Sequence, residues 1–88
     1  MDVNPNELMI YAIMDKKAGR YDTPYFAYSD LFAKRRYMLM AEEEKSPLNM
    51  WPDDFELHRL GICDTGTGKI TRSMEVILYG NQLRLKGD

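Results

Sequence analysis

From Leu8 to Met14 the chain reads LMIYAIM, an almost unbroken apolar run with Ile10 and Tyr11 near its centre. That pattern predicts a strand buried on both faces or set against another subunit. DKKAGR (Asp15 to Arg20) ends the run, and Gly19 supplies the backbone freedom that a tight reversal needs. A second strand is predicted over Tyr21 to Tyr28, with Tyr21, Tyr25, Phe26 and Tyr28; Pro24 removes a ladder donor and marks it as an edge or broken strand. The period then changes. Ser29 to Lys45, SDLFAKRRYMLMAEEEK, holds no Gly or Pro, opens on a Ser-Asp cap and stops short of Pro47, which predicts one helix. On a helical wheel Phe32, Ala33, Tyr37 and Met40 gather on one side, and Leu31, Met38 and Leu39 on another, with Arg35 and Arg36 interrupting. Either one side meets the sheet and the other meets something else, or both are core with the Arg stems lying along the surface.

The second half is punctuated more heavily. SPLNMWPDD (Ser46 to Asp54) has two prolines and no period, and reads as an ordered loop pinned by Trp51. Phe55 to Cys63 alternates Phe55, Leu57 and Arg59 on one side with Glu56, His58, Leu60 and Ile62 on the other, a strand pattern. DTGTGK (Asp64 to Lys69) is a hairpin turn. Ile70 and Thr71 begin the return strand, and Met74 to Tyr79 resumes it. Residues 1–7 read as a flexible terminus and 81–88 as a short strand or tail. The order β-β-α-β-β predicts a single α+β domain over 1–88, with one central helix packed on a small antiparallel sheet. A chain of 88 residues buries only about 60 to 65 per cent of its unfolded surface. A second copy would enlarge the core, so a dimer is expected.

Charge changes the picture more than composition does. The net charge of −2 argues against a surface made wholly for nucleic acid, yet the charges are segregated. Between Lys16 and Arg36 six bases (Lys16, Lys17, Arg20, Lys34, Arg35, Arg36) face two acids, and between Glu42 and Glu56 six acids face one base. Along the helix, bases come first and acids last, opposite to the order the macrodipole prefers, at a cost on the order of tenths of a kcal/mol per charge. Such charges are either solvated surface or a partner's footprint. Lys16, Lys17, Arg20, Lys34, Arg35 and Arg36, interleaved with Tyr21 and Tyr25, form the mixture by which single strands are held, rings stacking on bases while cations neutralise phosphates. These eight residues are the candidate nucleic-acid-binding set.

Other chemistry finds little support. Counting a phosphate loop from Gly61 puts Gly66 at its second glycine but Thr67 where the lysine belongs. His58 is the only histidine and has no Cys or second His at ligand spacing; Asp53, Asp54 and Glu56 read as the start of a strand or as solvated acids. No nucleophile and base pair is indicated. The expectation is a non-enzyme without metal or cofactor. The lone Cys63 excludes an internal disulfide and reads as a small buried apolar residue. No apolar run spans a membrane and the first residues lack the pattern of a signal peptide, so a cytoplasmic protein is expected.

Read end to end, the chain resembles the small nonstructural protein of gokushovirus-like phages, the Microviridae with single-stranded DNA genomes. The resemblance rests on Tyr11, Asp15, Lys17 and Ala18, then Tyr21, Pro24 and Tyr25, then Asp30, Ala33, Arg35 and Tyr37. It continues through Pro52, Asp54, Phe55, Leu57, Leu60, Gly61, Asp64, Thr67, Gly68 and Ile70, covering about residues 8–80. Of the helix bases only Arg35 shares in it; Lys34 and Arg36 rest on charge alone. What it implies is a phage-encoded protein of the bacterial cytoplasm, outside the virion, acting in replication or packaging of single-stranded DNA. Joined to the basic and aromatic set, it leads to a single-stranded DNA-binding accessory factor. The alternative is an adaptor that binds the phage replication initiator, the procapsid or a host replication factor, motivated by Glu42 to Glu44 and by Met50 and Trp51.

Overall fold

A computed structural model describes residues 6–83 of the chain; most of the expected flexible terminus and of the expected tail therefore lies outside the described residues. The elements run β1 (Glu7–Asp15), β2 (Arg20–Tyr21), β3 (Tyr25–Ala27), α1 (Asp30–Glu42), α2 (Pro47–Met50), β4 (Phe55–Asp64) and β5 (Lys69–Tyr79), with single 3₁₀ turns at Pro52–Asp54 and Gly80–Leu83. The class is α+β, one main helix on an antiparallel sheet.

The apolar run is apolar because β1 is the central strand. β4 pairs along one side of it, β2 and β3 share its other side, and β5 lies beyond β4, giving the order β2-β1-β4-β5 with β3 beside β1. The expected order β-β-α-β-β is thus corrected: the second strand is two strands, and a short second helix precedes β4. Met14 and Asp15 pair with Tyr21 and Arg20, and Met9 to Tyr11 with Ala27 to Tyr25; Asp22 still donates to the Ile13 carbonyl at 2.9 Å, and the strand is broken at Thr23 and Pro24. Pro24, with no N–H to donate, sits in that gap.

The helix forms where its cap says it should. The Ser29 hydroxyl accepts from the Phe32 N–H at 3.4 Å, Asp30 places an acid in the first turn, and Glu43 closes the C-terminus in extended backbone. Ala33 and Tyr37 are buried, and with Tyr11, Ile13, Leu48 and Leu57 they make the core, flanked by Met9, Tyr25, Ala27, Met40, Ala41, Phe55, Ile77 and Leu78. The helix therefore presents Ala33, Tyr37, Met40 and Ala41 to the sheet. Phe32, grouped with that side by the wheel, is 53% exposed instead.

Three further expectations change. The Ser46 to Asp54 segment is helical in two short pieces rather than a loop, and its buried anchor is Leu48, while Trp51 is 54% exposed. Cys63 is only half-buried. In β4 a bulge at Leu60 shifts the register between Ile10 and Tyr11 of the neighbouring strand, so Ile62 pairs with Met9 and joins the side of Arg59 rather than that of His58. The return strand is continuous, with its own irregularities opposite Leu57/His58 and Arg59/Gly61. The hairpin reads as expected: Gly68 takes φ +82° between Asp64 and Lys69, as Gly19 takes φ +71° in the first turn. No helix among the described residues is long and apolar enough to cross a membrane.

Candidate nucleic-acid interface

The β1–β2 hairpin and the broken edge strand position five of the eight candidate residues, and α1 positions the other three. In the hairpin, Asp15 accepts from the backbone N–H groups of Lys17 and Ala18 at 3.0 and 3.1 Å, which fixes the turn and leaves the side chains of Lys17 and Arg20 in solvent. Lys16 is partly engaged, 3.4 Å from Glu56.

Tyr21 belongs to a small buried polar group rather than to open solvent. Its hydroxyl lies 2.8 Å from Nδ1 of His58, whose Nε2 lies 2.8 Å from Oε1 of Glu56. A neutral imidazole protonated on Nε2 satisfies both contacts, with the phenol donating to Nδ1 and Nε2–H donating to the carboxylate. The two rings meet edge to face at 5.3 Å. His58 is 4% exposed. Its hydrogen bond, opposed by desolvation and helped by Lys16, holds the Glu56 carboxyl below its ordinary range.

Tyr25 is also committed. One ring face stacks near Tyr11, with centroids 6.0 Å apart, and the hydroxyl donates to the carbonyl of Ala33 at 3.0 Å. The Arg36 guanidinium lies 4.4 Å from the ring centroid, a cation–π contact. Burial pushes the Tyr25 phenol up to about 12, against the lowering effect of Arg36. Neither tyrosine is an open stacking platform. The exposed rings are Phe26, Tyr28, Phe32, Trp51 and Tyr79. Strand alternation was the available signal for Phe26: Tyr25 and Ala27 pack toward the core, so the residue between them points away.

The six bases do not form one patch. α1 runs from the β3 end of the sheet, where Tyr25 meets Ala33, toward the β2 end, where Met40 and Glu43 line a groove of about 450 Å³ together with Arg20, Tyr21 and Leu48. The Lys-rich hairpin therefore neighbours the acidic end of the helix. Charge near that groove is mixed, which disfavours a polyanion inside it. On α1 itself successive residues step 100° apart, so Lys34 and Arg36 flank opposite sides and Arg35 points away from the sheet. Arg36 leans over the β2–β3 edge. That edge carries Lys17, Arg20 and Arg36, and none of the three makes an ion pair among the described residues.

A different cation, Arg59, is absorbed by structure. Its Nη1 donates to both oxygens of Asp30 at 3.1 Å and its Nη2 to Glu75, while the Tyr11 hydroxyl donates to Asp30 at 2.5 Å. Burial works against the Arg59 charge, and the two carboxylates more than offset it, holding its pKa above the ordinary value. This group ties the start of α1 to three strands, and nothing in the sequence pattern marks it.

The sequence pattern of a family described as "Phage ORF5 protein" matches residues 8–83. No curated protein and no solved structure matches.

Proposed function

The chain belongs to the Phage ORF5 protein family, and from that premise we propose that it is a non-enzymatic, single-stranded DNA-binding accessory protein of a gokushovirus-like phage of the Microviridae. On this reading it works in the cytoplasm of the bacterial host, outside the virion, in replication or packaging of the single-stranded genome. The observation that carries the reading is the unpaired cationic edge: Arg36 over the Tyr25 ring, with Arg20 and Lys17 further along the same edge of the sheet. Cations spaced along an edge track a phosphate backbone without reading sequence. Exposed Phe26 on the same strand, on the face opposite to Tyr25 and Arg36, is a ring that a strand wrapping the edge would stack on, about 1 to 3 kcal/mol per base. Lys16 contributes less, because Glu56 shares its charge. Fluorescence anisotropy with a labelled single-stranded oligonucleotide at low salt tests the reading, with saturable binding expected; no binding there overturns it.

A second reading has one observation in its favour. Met50 and Trp51, 49% and 54% exposed after α2, are anchors of the type that protein interfaces use. An adaptor for the replication initiator, the procapsid or a host replication factor would dock there without binding DNA, and would lose its partner on Trp51→Ala.

A further inference from the structure

The side of α1 turned away from the sheet carries four large apolar residues alongside two charges. Leu31, Phe32, Met38 and Leu39 are 57%, 53%, 39% and 66% exposed. With Arg35 and Glu42 they lie within about 60° of one line along the helix, given 100° per residue. Leu31, Arg35, Met38 and Glu42 recur at spacings of four, three and four, so two apolar residues alternate with two charges along one stripe of the helix. The stripe's two charges are of opposite sign, and neither makes an ion pair among the described residues.

We infer that this face is the contact between two copies of the chain, α1 against α1 in antiparallel alignment. The order of the stripe selects the occupant. A two-fold axis passing between Met38 and Leu39 reverses the helix so that positions adding to 77 come level: Met38 with Leu39 of the second copy, and Arg35 with Glu42 of the second copy. Met38 and Leu39 meet at the centre, and a base meets an acid on each side, about 5 Å along the helix from the axis at 1.5 Å per residue; Leu31 and Phe32 come level with Ser46 and Lys45 of the second copy, just past the end of its α1. A parallel pair would set Arg35 against Arg35 and Glu42 against Glu42, like charges that oppose the pairing. Self-complementarity under reversal is what an isologous interface requires. The antiparallel pair also accounts for the bases-first order of α1, since each helix supplies the acids its partner's basic half lacks. Arg35 then belongs to the second copy, and Arg36, on the flank over Tyr25, stays with the β2–β3 edge.

The test is sedimentation equilibrium of the full chain without DNA, which separates it from the binding reading above. The unaltered protein is expected to dimerise. Arg35→Glu and Glu42→Arg, each alone, are expected to weaken the dimer about tenfold or more, with circular dichroism unchanged because both positions are on the exposed side of the helix. The double exchange, Arg35→Glu with Glu42→Arg, is expected to restore it. A monomer at all concentrations overturns the inference. A dimer indifferent to both single reversals, or one that the double exchange fails to restore, overturns it as well.

Discussion

Arg59 on β4 and Asp30 at the start of α1 form a two-pronged contact, Nη1 standing 3.1 Å from each carboxylate oxygen. Asp30 also accepts from Tyr11, whose side chain is fully buried on the central strand. One exposed-looking acid therefore registers the helix against the sheet. Asp30→Ala leaves a buried phenol without its acceptor and Arg59 with Glu75 alone. Hydrogen bonds to charged groups are worth about 1.5 to 3 kcal/mol, so a loss of about 2 to 3 kcal/mol is expected from urea unfolding. Asp30→Asn, which keeps an acceptor for Tyr11, should lose less.

Tyr37 gives the opposite expectation. Its ring is 1% exposed in the core, and its hydroxyl finds no hydrogen-bond partner among the described residues. Burial, with Glu56 and Tyr25 adding to it, pushes its phenol well above the ordinary value. Tyr37→Phe removes an unmatched polar atom without opening a cavity, so unfolding should show a gain of up to about 1 kcal/mol. A loss of that size would mean the hydroxyl has a partner.

Acid should weaken the Tyr21–His58–Glu56 group through Glu56. Its folded-state pKa is depressed from 4.5, chiefly by the hydrogen bond from His58. A depressed carboxylate stabilises the fold above its unfolded value and loses that contribution as pH falls through the folded one. The stability difference between the parent chain and Glu56→Gln, followed by urea midpoints, should therefore be largest above about pH 5 and shrink as pH falls below 4.5. A difference independent of pH would assign the loss to packing.

The parts of the fold written in local chemistry were legible in the sequence. Ser29 with Asp30 announced the helix start, Gly68 and Gly19 announced the two turns, and Pro24 announced a damaged edge strand. What was hidden depends on contacts across the chain. The bulge at Leu60 exists because β1 and β4 must keep both Met9–Ile62 and Ile13–Leu57 on the core side, and alternation along β4 alone cannot reveal it. Gly80 reads as a turn, yet a Cβ there would run into the carbonyls of Pro52 and Phe55, a close approach only the folded chain defines. The candidate site was legible as a list of residues but not as a surface. Chain order places Lys16, Lys17 and Arg20 near the basic half of α1, whereas the antiparallel folding of the hairpin brings Arg20 to the groove that Glu43 also lines. Tyr25 looked like a stacking ring because aromatic residues next to bases look alike whether the ring is free or, as here, already covered by Tyr11 and Arg36.

Single-stranded DNA, on the proposed function, lies along the β2–β3 edge. The most direct measurement is an anisotropy titration across a salt series, comparing the parent chain with a Lys17→Glu, Arg20→Glu, Arg36→Glu variant and with Lys69→Glu, an exposed base in the distant β4–β5 hairpin. The parent should bind with a log-log salt slope of about −0.7 per phosphate contacted. The triple variant should lose at least about tenfold in affinity and two or more contacts from the slope, and Lys69→Glu should bind as the parent does. Equal losses in the two variants, or binding by none of the three proteins at low salt, would contradict the claim.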